Sequence, residues 1–216
     1  PSYVGIFTGS NTFHQLGGTA IFQQLDLGHL TNGIYHLSGG DLNATILNKT
    51  AGSTLNFTGG TLSVDTINFS VLNNGGTLAP GRTNSIGTTT ITGGNNYTQG
   101  LTATLALQIG GTSQGTTYDW LHVSGTANLD GNLTVSLVND FTPLASDVFT
   151  NLTAGSVIGT FANAPVSGNK YDLGGGHHFI VTYHAGSVVL SGYEFLQAIP
   201  EPTTILLLAL GGWLIY

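Results

Sequence analysis

"FHQLGGTA" (13–20), "YHLSGGDL" (35–42), "LNFTGGTL" (55–62) and "VLNNGGTL" (71–78) repeat one pattern along the first third of the chain. Each carries an aromatic or aliphatic residue, three intervening residues, and then a Gly-Gly doublet. The doublets begin at Gly17, Gly39, Gly59 and Gly75, in steps of 22, 20 and 16 residues. A weaker echo, "ITGGNNYT", follows at 91–98. Between doublets lie short alternating runs such as "AIFQQLDL" (20–27) and "LSVDTINF" (62–69). Alternation over so few residues is the mark of a half-buried strand. A repeat of about 20 residues built from strand and glycine corner is one coil of a β-solenoid, whose apolar face is buried only by stacking on its neighbours. Glycine supplies the positive-φ backbone at the corners.

Aligned on the doublets, the repeats form columns. Phe13, Tyr35, Leu55 and Val71 share one position and are expected in the core. His14, His36 and Asn56 share the next, where a polar surface ladder is expected. A metal-binding His pair there would need a third His or a carboxylate in register, and none repeats.

The pattern changes near residue 100. "LTATLALQIGG" (101–111) and "DWLHVSGTANLDGNLTVSLV" (119–138) alternate over longer runs. Asp130-Gly131 stands between two such runs and reads as a hairpin turn, as does Ala185-Gly186. The expected fold is therefore all-β: a parallel β-solenoid (β-helix) over 1–100, and final coils or an antiparallel β cap over 101–197. A Pro-Glu-Pro motif and a hydrophobic tail occupy 198–216.

Composition agrees with a turn-rich β protein. Of 216 residues, 33 are Gly and 6% are charged, against roughly 25% charged in an average soluble domain. Strong helix formers are scarce, while 40% apolar content exceeds that of a disordered linker. The absence of Cys excludes disulfides. Only Lys49, Arg82 and Lys170 are fixed cations in a chain of net charge −7. Three scattered cations cannot neutralise a run of phosphates, so nucleic acid is excluded as a partner. Low surface charge gives little repulsion between copies and permits self-association. The first residue is Pro1 and no signal peptide precedes it, so processing or a fragment is expected there.

Two resemblances follow from particular residues. Leu78-Ala79-Pro80-Gly81, Tyr97-Thr98-Gln99, Ile109-Gly110-Gly111-Thr112 and the spaced series Tyr118-Asp119, Leu121, Val123, Gly125, Ala127, Leu129, Gly131 resemble the C-terminal passenger region of autotransporter-like β-helix proteins. "IPEPTTILLLALGG" (199–212) resembles the PEP-CTERM sorting signal, carried here by Pro200, Glu201 and Pro202 and the apolar stretch after them. That resemblance implies export in a Gram-negative bacterium, an extracellular or cell-surface location, an exosortase-type processing protease as partner, and an exopolysaccharide context. The basic cluster that ends such signals is missing, since the sequence stops at Tyr216.

Residues 205–216 number 12, about 18 Å as a helix, against about 20 residues for a bilayer core. A buried contact between subunits is expected instead, made by Ile205, Leu206, Leu207, Leu208, Leu210, Trp213, Leu214, Ile215 and Tyr216. The Leu-rich composition favours a helix; a strand donated to a neighbour stays open.

Catalytic chemistry has no signature. The acids do not recur at adjacent-coil spacing beside a cation, as polysaccharide cleavage would ask, and no Gly-x-Ser-x-Gly elbow occurs. His177-His178 reads as a loop pair rather than a chelate, because adjacent strand residues point to opposite faces. No cofactor or metal is expected. Asn-x-Ser/Thr sequons occur at Asn43, Asn48, Asn56, Asn68, Asn96, Asn132 and Asn151 and are candidate glycosylation positions. The reading that follows is a non-enzymatic, extracellular structural protein that polymerises with itself into a filament, sheath or matrix layer. A surface adhesin or glycan-binding module held by its tail is the alternative, and a glycan-acting enzyme a third.

Overall fold

The computed structural model describes residues 2–4, 11–82 and 85–196. The described chain is all-β, and no helix occurs among these residues. The Pro-Glu-Pro motif and the apolar tail lie outside them, as does the expected tail helix.

The chain begins with a three-residue strand, β1 (Ser2–Val4), and two 17-residue strands, β2 (Asn11–Leu27) and β3 (Gly33–Lys49). All three run parallel. Phe13 stands opposite Tyr35 and His14 opposite His36, so the doublet alignment is the strand register. The next pass covers the same course in two pieces. β4 (Thr54–Phe57) pairs with the first half of β3 and β5 (Thr61–Ile67) with the second. Then come β6 (Val71–Asn73), β7 (Thr77–Leu78) and β8 (Thr88–Ile91), followed by β9 (Tyr97–Gln99) and β10 (Thr104–Ile109). β11 (Trp120–Leu129) and β12 (Asn132–Leu137) come next. All these pairings are parallel, each strand lying on one from an earlier pass. Seven strands close a ring in the order β3, β4, β6, β9, β11, β8, β5. Closure follows from length: β3 and β11 each hold one neighbour with their first half and another with their second.

The doublet explains the bend within each long strand. Gly40 has φ +73, and a Cβ there would sit 2.2 Å from the Gly18 carbonyl oxygen. Both the backbone conformation and the close approach of stacked corners demand glycine. Inward side chains such as Leu37, Leu42, Leu47, Phe57, Leu62 and Ile67 are fully buried and form one continuous core.

Antiparallel pairing starts with β13 (Val148–Gly159), which lies parallel to β11 and antiparallel to β16 (Ser187–Phe195). β15 (His177–His184) and β14 (Asn169–Gly174) complete this sheet, and His184 opposite Ser187 makes Ala185-Gly186 a hairpin turn.

Three expectations need correction. Asp130-Gly131 is not a hairpin. β11 and β12 do not pair; β12 lies parallel on β10 over six residues. Gly131 (φ +58) is a corner stacked on an earlier corner, where a Cβ would meet the Ala103 carbonyl oxygen at 2.3 Å. An Asp-Gly pair suits any positive-φ corner, and here the earlier strand offers the longer partner. His177-His178 opens strand β15 rather than lying in a loop. Of the aligned core column, Tyr35 and Val71 are buried, whereas Leu55 is half-buried and Phe13 is 45% exposed.

Candidate interaction surfaces

Buried amides lock the corners. A corner carbonyl has no strand partner, and leaving it unpaired in the core is costly. Gln15 donates from Nε2 to the Gly18 and Asp41 carbonyls at 3.2 and 3.0 Å, and its Oε1 accepts the Tyr35 hydroxyl at 2.6 Å. Gln99 repeats the device, donating to the carbonyls of Asp130 (2.7 Å) and Asn132 (2.9 Å) and accepting from Tyr97 (2.9 Å). At the fourth doublet Asn73 accepts the Gly76 N–H at 2.8 Å and donates to the Gly76 carbonyl at 3.0 Å. Burial pushes Tyr35 up to about 12 and Tyr97 above it, so both remain hydrogen-bond donors. The sequence reading missed these amides. Their one signal is an amide two residues before the doublet, at Gln15 and Asn73.

Two ladders climb the outside. His14 and His36 stack with centroids 4.3 Å apart and planes 5° from parallel, and the Asn56 amide nitrogen lies 3.3 Å from His36 Nδ1. Separately, Asn48 donates to Asp26 at 2.6 Å, Asn68 donates to Asn48 at 2.5 Å, and the Thr92 hydroxyl donates to Asn68 at 2.6 Å. Among the described residues no group of three His, Cys, Asp or Glu could hold a metal ion.

The sequons sort by burial. Asn43 and Asn151 are buried at 4% and 1% exposure, which leaves no room for a glycan on the folded chain. Asn48 and Asn56 are half-buried within the ladders, and Asn68, Asn96 and Asn132 are exposed.

A cavity of about 330 Å³ lies beneath loop residues 79–82 and 85–87, on the outer side of β5, β7 and β10. Asp41, Thr61, Thr77, Arg82 and Ser136 contribute to its lining. Arg82 ties the loop down by contacts with Asp65 and Thr45. Asp119, also at the cavity, is almost fully buried. Its Oδ1 accepts the Gly87 N–H at 2.8 Å and its Oδ2 the Gln108 N–H at 2.7 Å. Burial raises this carboxyl to about 7, against the lowering pull of those two bonds. With both oxygens engaged by backbone, its evident work is to fasten the loop to β10.

The two ends of the stack differ. At the C-terminal end the outer edge of β12 is bonded by side chains at Leu133. Asn163 accepts the Leu133 N–H at 2.9 Å and donates to its carbonyl at 2.8 Å, and the Tyr171 hydroxyl donates to the same carbonyl at 2.7 Å. The last strand of the antiparallel sheet, β14, is short and carries Lys170 and Asp172. Lys170 pairs with Glu194 at 2.5 Å and Asp172 lies 3.7 Å from His178. At the N-terminal end, the only described partner on the outer edge of β2 is β1, at Leu25–Leu27. Phe13, Leu16 and Ile21 are 45%, 77% and 72% exposed.

Comparison with known proteins adds no relative: no family model matches the chain, and no curated protein matches its sequence. The class that the fold itself defines is an all-β protein of stacked, mainly parallel strands with an antiparallel end sheet.

Proposed function

We propose that this chain is a non-enzymatic structural protein of the extracellular surface whose copies assemble with one another. Its body is a β-solenoid, and the β13–β16 sheet is its cap. The observation that carries the reading is the contrast between Phe13, 45% exposed, and its register partner Tyr35, 1% exposed. One strand in, the core is closed; on β2 the same column is open. An apolar column of this kind calls for a covering partner. The near-absence of charge lowers the repulsion between copies.

The apolar tail, 205–216, is a second packing element between subunits in this proposal. The Pro-Glu-Pro motif at 200–202 implies delivery by an exosortase-type protease into an exopolysaccharide-rich surface. Negative-stain microscopy of the purified chain tests the reading: filaments or sheets are expected, and monomeric particles at high concentration would overturn it. Deleting 203–216 is expected to shorten or abolish extended assemblies; unchanged polymers would remove the tail from the account.

A glycan-binding role is the second reading. It draws on the cavity beneath loop residues 79–82 and 85–87, whose hydroxyl groups and Asp41–Arg82 charges suit a sugar. A glycan array without binders would end it.

A further inference from the structure

We propose that the outer edge of β2, centred on 19–24, is a homotypic docking edge at which two copies pair antiparallel about a twofold axis. The inference rests on the self-assembly reading above and adds where and how the copies meet.

Edge strands in soluble proteins are normally blunted by short length, charged residues, proline or a covering element. β14 follows that rule: it is six residues long and carries two charges. β12 follows it by being six residues long and by the Asn163 and Tyr171 bonds at Leu133. β2 does not. It is 17 residues long, its first charged residue is Asp26, and it contains no proline. Asp26 is itself engaged by Gln24 and Asn48. Residues 11–25 therefore present an uncharged edge on a molecule of net charge −7.

The side chains there are those of an unfinished interface. Ala20 and Phe22 are only partly buried against the core, while their register partners Leu42 and Ala44 are 0% and 1% exposed. Ile21 projects on the other face at 72% exposure.

A second copy is the occupant that fits. An acidic or basic partner would find no countercharge on this edge. Head-to-tail stacking would set β2 against the opposite end, where Leu133 of β12 is already bonded by Asn163 and Tyr171 and β14 carries Lys170 and Asp172. Among the described residues, the uncharged edge that remains is residues 19–24 of β2 on another molecule. The same patch on both partners is an isologous contact, and a strand meeting its own twofold copy runs antiparallel and exchanges backbone hydrogen bonds.

Because the chain has no Cys, single cysteines report this contact without background. Thr19→Cys, Ile21→Cys and Gln23→Cys sample the exposed face in steps of two. Directly opposed strand residues have Cβ atoms about 4.5–5.5 Å apart, within reach of a disulfide after small adjustment. Thr134→Cys, exposed on β12 beside the bonded Leu133, is the control. Under mild oxidation of the full chain, at least one β2 variant is expected to give a disulfide-linked dimer at yields well above the control. Ile21→Lys is expected to remove association in sedimentation velocity while leaving the circular dichroism melt unchanged. Persistent assemblies with β2 cross-linking no higher than the control would overturn the docking edge and leave the self-assembly reading standing. A chain that sediments as a monomer at every concentration would overturn both.

Discussion

β2, which carries only β1 on its outer edge among the described residues, and β12, the last strand on its side of the parallel stack, differ at their outer edges. Over β12, Asn163 supplies an acceptor and a donor where the next strand would have supplied an N–H and a carbonyl, and Tyr171 adds a second donor. At Leu133 these side chains imitate one more strand, while β11 carries a real one, β13. Over β2 no described residue plays that part beyond Leu25–Leu27. Phe13 shows the cost, since its twin one strand in is sealed. The lesson is that repetition fixes the register of every layer but not its environment. A residue type that is core in the middle of a stack becomes surface at its end.

The glycine corners give the sharpest way to break this comparison. Gly18 and Gly40 are equivalent corners on β2 and β3, with φ +69 and +73. A Cβ at Gly40 would strike the corner before it, while at Gly18 it would find nothing within 4 Å. Gly40→Ala is expected to cost at least about 3 kcal/mol, from clash and backbone strain together. Gly18→Ala should cost only the backbone term, about 1–2 kcal/mol. Urea denaturation of the two variants checks this, and equal losses would mean that the β2 corner is covered as the β3 corner is.

A smaller effect is expected at Asp119. Its folded carboxyl is raised to about 7 from an ordinary 3.8. A carboxyl with a raised folded value holds its proton more tightly when folded. Its contribution is therefore fully present below about pH 4, declines as the pH rises, and is gone above about pH 7. Asp119→Asn should flatten that decline in thermal melts between pH 4 and 8. It should also lower stability at pH 4 by about 1–3 kcal/mol, because the amide nitrogen cannot accept one of the two backbone N–H bonds. A variant with the same pH slope as the parent would exclude Asp119 as its source.

The parallel register was legible in the sequence because each doublet marks a corner, and stacked corners hold Phe13 against Tyr35 and His14 against His36. The Asp130-Gly131 turn misled because positive φ serves a stacked corner as well as a hairpin. What separates the two is a partner strand about 28 residues earlier, β10, which no local pattern displays. The inward amides were illegible for a related reason. Gln15 and Gln99 look like surface residues until the corner carbonyls that they satisfy are located. Of the expected sites, the sequons could be placed by burial, whereas 200–202 and 205–216 fall outside the described residues.

In the proposal, β2 is an unfinished edge completed by a second copy. Hydrogen exchange of backbone amides at low and high protein concentration tests it most directly. Amides within 19–24 that do not bond β3 are expected to exchange fast in dilute solution and to slow at least tenfold as copies associate. The Leu133 amide, already held by Asn163, should exchange at one rate throughout. β2 amides that exchange identically at both concentrations, while sedimentation shows association, would contradict it.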